Sequence, residues 1–531
     1  MDSLRRWCAL LGVMLLLCVG CASLPPGAAF PRTASVALPH PEDTPLGRQF
    51  AAEAARHPGN SGFRLLSAGV DGFLVRMQMI HAATRTIDLQ YFIFRGDETG
   101  QLLTGAVLLA ADRGVRIRIL VDDGETVAGD EQLRMLESHP QIQLRVFNPF
   151  RYRGHVTALR AAEFLLDFRR LDFRMHNKLL VVDNAIALIG GRNIGDQYFQ
   201  VDPDAQFADD DMLSTGPIVP QLSATFDEYW ASPLSIPMEA LAGGKTTRAE
   251  LGAHRRQLQQ HRQAREDESV GYVMRIASSE PLAGIVAGRT PLTWAHAQLV
   301  CDSPDKHDVE RGLVVGRLMR RPVAAASAAV QGELLMITPY LIPGQEGMRL
   351  FQTLRARQVR VRILTSSLEA ASVLLAQSGY MHYRVDLLAM GVELYEIRSL
   401  LGNVKGSGET RAISRFGNYS LHAKMFVFDR QKVFIGSMNF DQRSMNLNTE
   451  IGLLIDSAPL ALQIAARFDA MVQPENAYAL ALRQTGSGPA TLSWRTREDG
   501  KAVSYDVEPA RSRWQRNAVH FLALLPLDDE L

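Results

Sequence analysis

The 531-residue chain carries 57 Lys and Arg against 57 Asp and Glu, with 47% hydrophobic and 21% charged residues. That length allows two to four domains with large cores, and the ordinary apolar fraction excludes a largely disordered chain. Zero net charge argues against a long nucleic-acid track, which needs a basic excess, and four cysteines, three of them in the first 21 residues, exclude a disulfide framework.

Those three are Cys8, Cys18 and Cys21. Arg5 and Arg6, followed by an apolar run over 9–19, predict an export signal that is too short to span a membrane. Val19-Gly20-Cys21 resembles a bacterial lipoprotein box, although Cys18 stands where leucine is usual. That resemblance implies cleavage after residue 20 and lipidation of Cys21. It further implies a membrane-associated, lipid-anchored protein that faces the periplasm. Cys301 is then left as an isolated thiol. Residues 22–50 follow the signal peptide (1–21), and six prolines between 22 and 45 predict an extended tether.

Past the tether the chain repeats itself. Val115-Arg-Ile-Arg-Ile-Leu120 returns as Val359-Arg-Val-Arg-Ile-Leu364, both with the period-2 pattern of a strand. Strand-like runs over 87–94 and 333–340 precede them, and helix-like stretches over 100–113 and 347–357 lie between. Met175-His-Asn-Lys-Leu-Leu-Val-Val-Asp183 then recurs as Leu421-His-Ala-Lys-Met-Phe-Val-Phe-Asp429. Each copy continues after six residues, as Gly190-Gly-Arg-Asn193 and Gly436-Ser-Met-Asn439. The offset is 244 for the Val-Arg runs and 246 for the His segments. A near-constant offset predicts a duplicated domain, and strands alternating with helices predict an α/β fold. We read domains over 51–237 and 301–475. Between them lies a connection over 238–300 whose polar residues predict a solvated surface helix, and a C-terminal extension covers 476–531. Gly- and Ser-rich residues 402–417 predict a loop at the mouth of the site.

The chemistry lies in His-x-Lys-x4-Asp. Positions i and i+2 of a strand share a face, so His176 and Lys178 point the same way, as do His422 and Lys424. Asp183 and Asp429 fall at the strand ends and complete the candidate catalytic set. Asn193 and Asn439 can place amide donors nearby. A pseudo-twofold axis between the halves brings all of these into one site within one chain. Two imidazoles can supply a nucleophile and a leaving-group acid, and two ammoniums can stabilise phosphoryl oxygens. His-x-Lys is a poor ligand pair because a cation beside a metal is repulsive, so neither a metal nor another cofactor is expected.

The two segments resemble the HKD motifs of the phospholipase D superfamily. The resemblance implies a duplicated, two-lobed fold of mixed sheets flanked by helices, with one active site between the lobes. It also implies a phosphohistidine intermediate, with His176 as nucleophile and His422 as general acid. The family places an acidic residue after each motif to orient a histidine. Glu450 matches in the second half, and Asp209 fits best among Asp209, Asp210 and Asp211 in the first. Over about residues 55–531 the chain is similar to bacterial cardiolipin synthases of the C type, through Asp211-Met-Leu-Ser-Thr-Gly-Pro217, Phe226-Asp-Glu-Tyr-Trp230 and the tail from Trp494. The implied reaction is phosphatidyl transfer between phospholipids, giving cardiolipin from phosphatidylglycerol and a second phospholipid. The alternatives are phospholipase D hydrolysis to phosphatidic acid and, further off, a nuclease of the same fold. The implied partners are phospholipids and a membrane, with no nucleic acid. One departure is that other cardiolipin synthase types carry two transmembrane helices ahead of the catalytic domain, where this chain has a short signal-like segment.

Overall fold

The computed structural model describes residues 25–525 apart from 26, 125–129, 155, 203–205, 243–249, 251, 254–255, 257–280, 287–288, 401–418 and 484–489. The signal-like segment with Cys21, most of the polar connection and the 402–417 loop therefore lie outside the described residues.

In the first half the strands are β1 (Ser61–Leu66), β2 (Thr86–Tyr91), β3 (Arg116–Asp122), β4 (Ile142–Phe147), β5 (Leu179–Val182), β6 (Ile186–Gly190), β7 (Gln206–Ala208), β8 (Asp211–Thr215) and β9 (Ser235–Pro237). The chain continues with β10 (Thr293–Cys301), β11 (Glu333–Ile337), β12 (Arg360–Ser366), β13 (Glu393–Ile397), β14 (Tyr419–Leu421), β15 (Met425–Phe428), β16 (Lys432–Gly436), β17 (Ile451–Asp456), β18 (Ala477–Arg483), β19 (Thr491–Glu498) and β20 (Lys501–Tyr505). Strands β2, β3 and β4 run parallel, as do β11, β12 and β13. Parallel neighbours need a crossover, which the helices Glu98–Asp112 and Gly344–Ala356 supply after β2 and β11.

Eighteen strands form one mixed sheet. At its centre β1 pairs antiparallel with β10. Outward from β1 the order is β8, β6, β5, β2, β3, β4, β9. Outward from β10 it is β17, β16, β15, β11, β12, β13, β18, β19, β20. Each repeated strand thus sits at the same distance from the centre, which is a pseudo-twofold arrangement. The strands β7 and β14 stand apart and pair parallel with each other across the halves.

Two boundaries drawn from the sequence move. Residues 293–300 belong to the central strand β10, not to a connecting segment. The C-terminal extension is part of the second lobe, because β18 pairs with β13 and carries β19 and β20 outward.

Helices Ile218–Ala231 and Ala458–Met471 cover one face of the sheet. Their Leu222, Phe226, Leu460 and Phe468 join an apolar core shared by both halves. Fully burying such a side chain is worth about 1.5–3 kcal/mol, so this core binds the lobes to each other. The opposite face holds separate cores, one around Leu103 and Val107, the other around Phe351 and Leu354.

The expected extended tether is only partly so: Pro41–Asp43 and Pro45–Ala54 are helical, with the prolines at helix starts where no N–H is needed, and the irregular chain before them is docked along the first lobe. Arg118 is fully buried, with Asp88 at 2.7 Å, and its Nη1 also donates to Ser35 O at 2.8 Å. Arg116 donates to Ser35 Oγ and Val36 O, and Arg145 to Thr33 O at 2.9 Å. Polar groups taken from water need partners, and these arginines find them on the tether backbone. Among the described residues no helix is long and apolar enough to cross a membrane.

Candidate active site

Each histidine is placed by a short backbone contact between the lobes. Met175 forms a parallel bridge with Thr449; His176 N donates to Thr449 O and Thr449 N to Arg174 O, both at 2.9 Å. In the other lobe β14 ends at Leu421, its partner β7 ends at Ala208, and His422 N donates to Ala208 O at 2.7 Å. The residue after Thr449 is Glu450, and the residue after Ala208 is Asp209. These registers set each histidine beside the carboxylate of the opposite half.

The side chains follow. His176 Nδ1 lies 3.0 Å from both oxygens of Glu450. His422 Nδ1 lies 2.6 Å from Asp209 Oδ2. In both rings it is Nδ1 that the carboxylate of the other half holds. Glu450 and Asp209 are fully buried, whereas His176 and His422 keep 8% and 7% of their surface open. Lys178 Nζ donates to His176 O at 2.6 Å. Lys424 Nζ donates to His422 O and lies 3.0 Å from His422 Nδ1. Phe92 meets His176 edge-on at 5.0 Å, and Tyr198 meets His422 in the same way at 5.2 Å.

The electrostatics show one site rather than two. Burial pushes His176 well below the usual imidazole range, with further lowering from Lys178 and from Lys424 of the other half. Burial does the same to His422, helped by Lys424 and Lys178. Lys178 is pushed well down by burial, and Lys424 to about 8. Burial raises Glu450 to about 7 and Asp209 to about 6 against the pull of the lysines. Two ammoniums whose charge is penalised by burial favour an anion between them, which stabilises the charged form.

This fold and this paired site match known proteins. The family described as cardiolipin synthase, PLD-like domain, matches residues 77–230 and 325–472. The chain belongs to that family, within the phospholipase D superfamily. It is 36% identical over 480 residues to cardiolipin synthase C of Escherichia coli strain K12, covering 89% of this chain and 97% of that one. It is 26% identical over 420 residues to cardiolipin synthase A of Pseudomonas syringae, covering 77% and 68%. The solved phosphatidylserine synthase of Haemophilus influenzae superposes with a TM-score of 0.52 at 13% identity, over 82% of this chain and 92% of that one, and shows the shared fold.

Within this family site, the two motif aspartates take other positions and the two asparagines bond to protein. Asp183 sits about 20 Å along the extended chain from His176 at ordinary strand rise. Its carboxylate accepts backbone N–H bonds from Thr84, Arg85 and Thr86 at 2.8–3.0 Å. Asp429 does the same for Gln331, Gly332 and Glu333. Both pin a turn to the start of a neighbouring strand, so the structure places them in the scaffold and not in the chemistry. Asp183→Ala is expected to lower unfolding free energy by about 2–4 kcal/mol, because it strands several N–H groups. Denaturant titration checks this, and kcat per folded molecule should stay near wild type. Asn193 spends both ends on protein: Nδ2 donates to Tyr198 OH at 2.9 Å, and Oδ1 accepts from Ile93 N at 3.1 Å. These bonds fix the amide in the wall of the site and leave the second Nδ2 hydrogen as its remaining donor. Asn439 Nδ2 reaches Ser444 Oγ at 3.3 Å, and its Oδ1 is buried without a partner.

The acidic trio divides its work. Asp209 takes His422, Asp210 takes Arg467 of the other lobe at 3.2 Å, and Asp211 takes Arg76 and Arg192. The two carboxylates that hold the histidines differ in length, and their neighbours compensate. Ser437 Oγ donates to Glu450. Its counterpart is Gly191, where an added Cβ would stand 2.1 Å from Asp209 Oδ1. Gly191→Ala must therefore displace Asp209 from His422, and kcat is expected to fall at least ~10-fold in steady-state assays.

Residues that the sequence did not single out support Glu450. Its N–H donates to Asp302 Oδ2 at 3.0 Å. Buried Lys306 bonds Asp302, Ser444 O and Asn448 O at 2.7–3.0 Å. Arg443 ties the lobes through Asp172 at 2.7 Å. Among the described residues no group of three or more His, Cys, Asp or Glu is arranged to hold a metal.

Proposed function

We propose that this chain is a phosphatidyltransferase that makes cardiolipin from phosphatidylglycerol and a second phospholipid, through a phosphohistidine on His176. The observation that carries the reading is the crossed pair of imidazoles, each bound at Nδ1 by the other half's carboxylate. A carboxylate at Nδ1 keeps one ring proton there, so the Nε2 lone pair of His176 is free to attack, and in His422 the carboxylate steadies the imidazolium whose Nε2 carries the acidic proton. The kinship with cardiolipin synthases supports the lipid class.

His176 Nε2 attacks the phosphorus of the first lipid. The P–O bond to its head-group alcohol breaks, and the leaving oxygen takes the proton of His422 Nε2. The second lipid's hydroxyl then attacks the phosphorus and passes its proton back to His422 Nε2. The P–N bond breaks, and both histidines are restored. Lys178 and Lys424 hold the phosphoryl oxygens as charge grows. The assignment of His176 as nucleophile follows the usual order in the superfamily.

The test is incubation of purified protein with labelled phosphatidylglycerol, with and without phosphatidylethanolamine, followed by lipid separation. Labelled cardiolipin is expected. Phosphatidic acid as the sole product would overturn the synthase reading.

The pH dependence follows from the shifted groups. Glu450 must be ionised to hold His176, and burial puts that at about 7. Lys424 must be protonated to bind phosphate, and burial puts that at about 8. The profile of kcat/KM is expected to rise through about 7 and fall through about 8. A profile flat from pH 6 to 9 would contradict this assignment.

We also read the enzyme as anchored through a lipidated Cys21 and facing the periplasm, on the strength of its signal-like N-terminus. Processing should then be sensitive to globomycin; insensitive processing would refute the anchor.

A further inference from the structure

The helix Thr157–Leu166 is turned inside out. Its two charged residues face the protein. Arg160 donates to Asp123 O at 2.8 Å and stacks over Phe150 at 4.0 Å. Glu163 accepts from Arg151 N and Tyr152 N at 2.7 and 2.9 Å. The apolar residues face outward: Leu165 is 76% exposed and Leu166 87%, and no residue of the helix is buried. A surface helix in water normally does the reverse.

In the other lobe the helix Arg513–Leu522 also presents large apolar residues outward. Gln515 and Val519 pack inward, while Trp514 is 74% exposed, Phe521 66% and nearby Leu524 80%. Residues 510–525 carry Arg511, Arg513 and Arg516 and no acidic residue.

The two helices occupy equivalent places. Arg160 binds Asp123 O, just past the end of β3. Gln515 binds Leu368 O, just past the end of β12, the repeat of β3. The same two strand ends hold the histidine segments: Met175 N donates to Asp122, and Ser420 Oγ donates to Ala370 O. Each outward apolar surface is therefore tied to the same strand-end region as a histidine segment.

We propose that these two helices form a bilayer-docking face, which seats the mouth of the site on a membrane rich in anionic phospholipid. This rests on the phospholipid reaction proposed above only for its purpose, not for its geometry. Exposed Leu and Phe enter the acyl boundary, Trp514 takes the interfacial position that indole prefers, and the arginines meet the phosphates. A substrate then leaves the bilayer directly into the cleft.

The test uses the full chain with vesicles of phosphatidylglycerol and phosphatidylcholine whose acyl chains carry bromine. Trp514 emission is expected to be quenched, and the quenchable component is expected to vanish in Trp514→Phe. The double variant Leu165→Asp, Leu166→Asp is expected to lose at least ~10-fold in vesicle binding and vesicle turnover. Its turnover of a monomeric short-chain phosphatidylglycerol should match wild type. An unquenched Trp514, or undiminished vesicle binding by the double variant, overturns the proposal. A wild-type chain that docks yet converts no lipid would refute the reaction and leave the docking face standing.

Discussion

His176→Ala is expected to abolish phosphatidyl transfer, lowering kcat by roughly 10⁴ or more, the scale of loss when an enzymatic nucleophile is removed. The cause is structural. His176 Nε2 is the open nitrogen of a ring whose Nδ1 is held by Glu450. His422→Ala should fail equally with natural lipids, because an alkoxide cannot leave without a proton. The two variants should separate on a substrate with a p-nitrophenol leaving group, which departs unaided. There His422→Ala should release a burst of nitrophenol, and His176→Ala should release none. A burst from His176→Ala would reverse the two roles.

Glu450→Gln and Asp209→Asn are expected to lower kcat by roughly 10³–10⁴ each, with folding intact. In Glu450→Gln the amide can turn its NH₂ toward His176 Nδ1, which forces the ring proton onto Nε2 and removes the attacking lone pair, whereas Asp209→Asn withdraws the negative charge that stabilises protonated His422 as the acid. Because each carboxylate belongs to the lobe opposite its histidine, each variant disables the motif it is not part of. The double variant should be no worse than about the weaker single one, as residues acting in one unit are non-additive. Steady-state kinetics with thermal melts checks this. Near-normal turnover in either variant would mean that the crossed pairs are not needed.

Much of the site was legible in the sequence for a simple reason. His and Lys two residues apart on a strand must share a face, and a repeat at constant offset must give two such faces. What the sequence concealed depends on contacts between distant segments. Glu450 and Asp209 could be picked out as acids behind each motif, but not the exchange between them. That exchange rests on the bridge at Met175 and Thr449 and on the pairing of β7 with β14. Asp183 and Asp429 stand in the motif and look chemical, yet β5 and β15, which begin just after Lys178 and Lys424 rather than at the histidines, carry the aspartates away. Asn193 could be read as a candidate donor, but its orientation, fixed by Tyr198 and the Ile93 N–H, could not be read. The tether looked free because it lacks a periodic apolar pattern, while the arginines that bind it lie on strands some 80 to 110 residues further on. The fold class followed from the βα alternation, but the fusion of both halves into one sheet through β10 left no mark in the pattern.

The central claim is a covalent phosphatidyl-enzyme formed at one histidine of a site built from both halves. Rapid mixing of the wild-type enzyme with phosphatidylglycerol, an alkaline denaturing quench and peptide mass spectrometry test it most directly. The account predicts phosphatidyl mass on His176, absent from Glu450→Gln. Phosphorus on His422, or product formation with no adduct at any time, would contradict it.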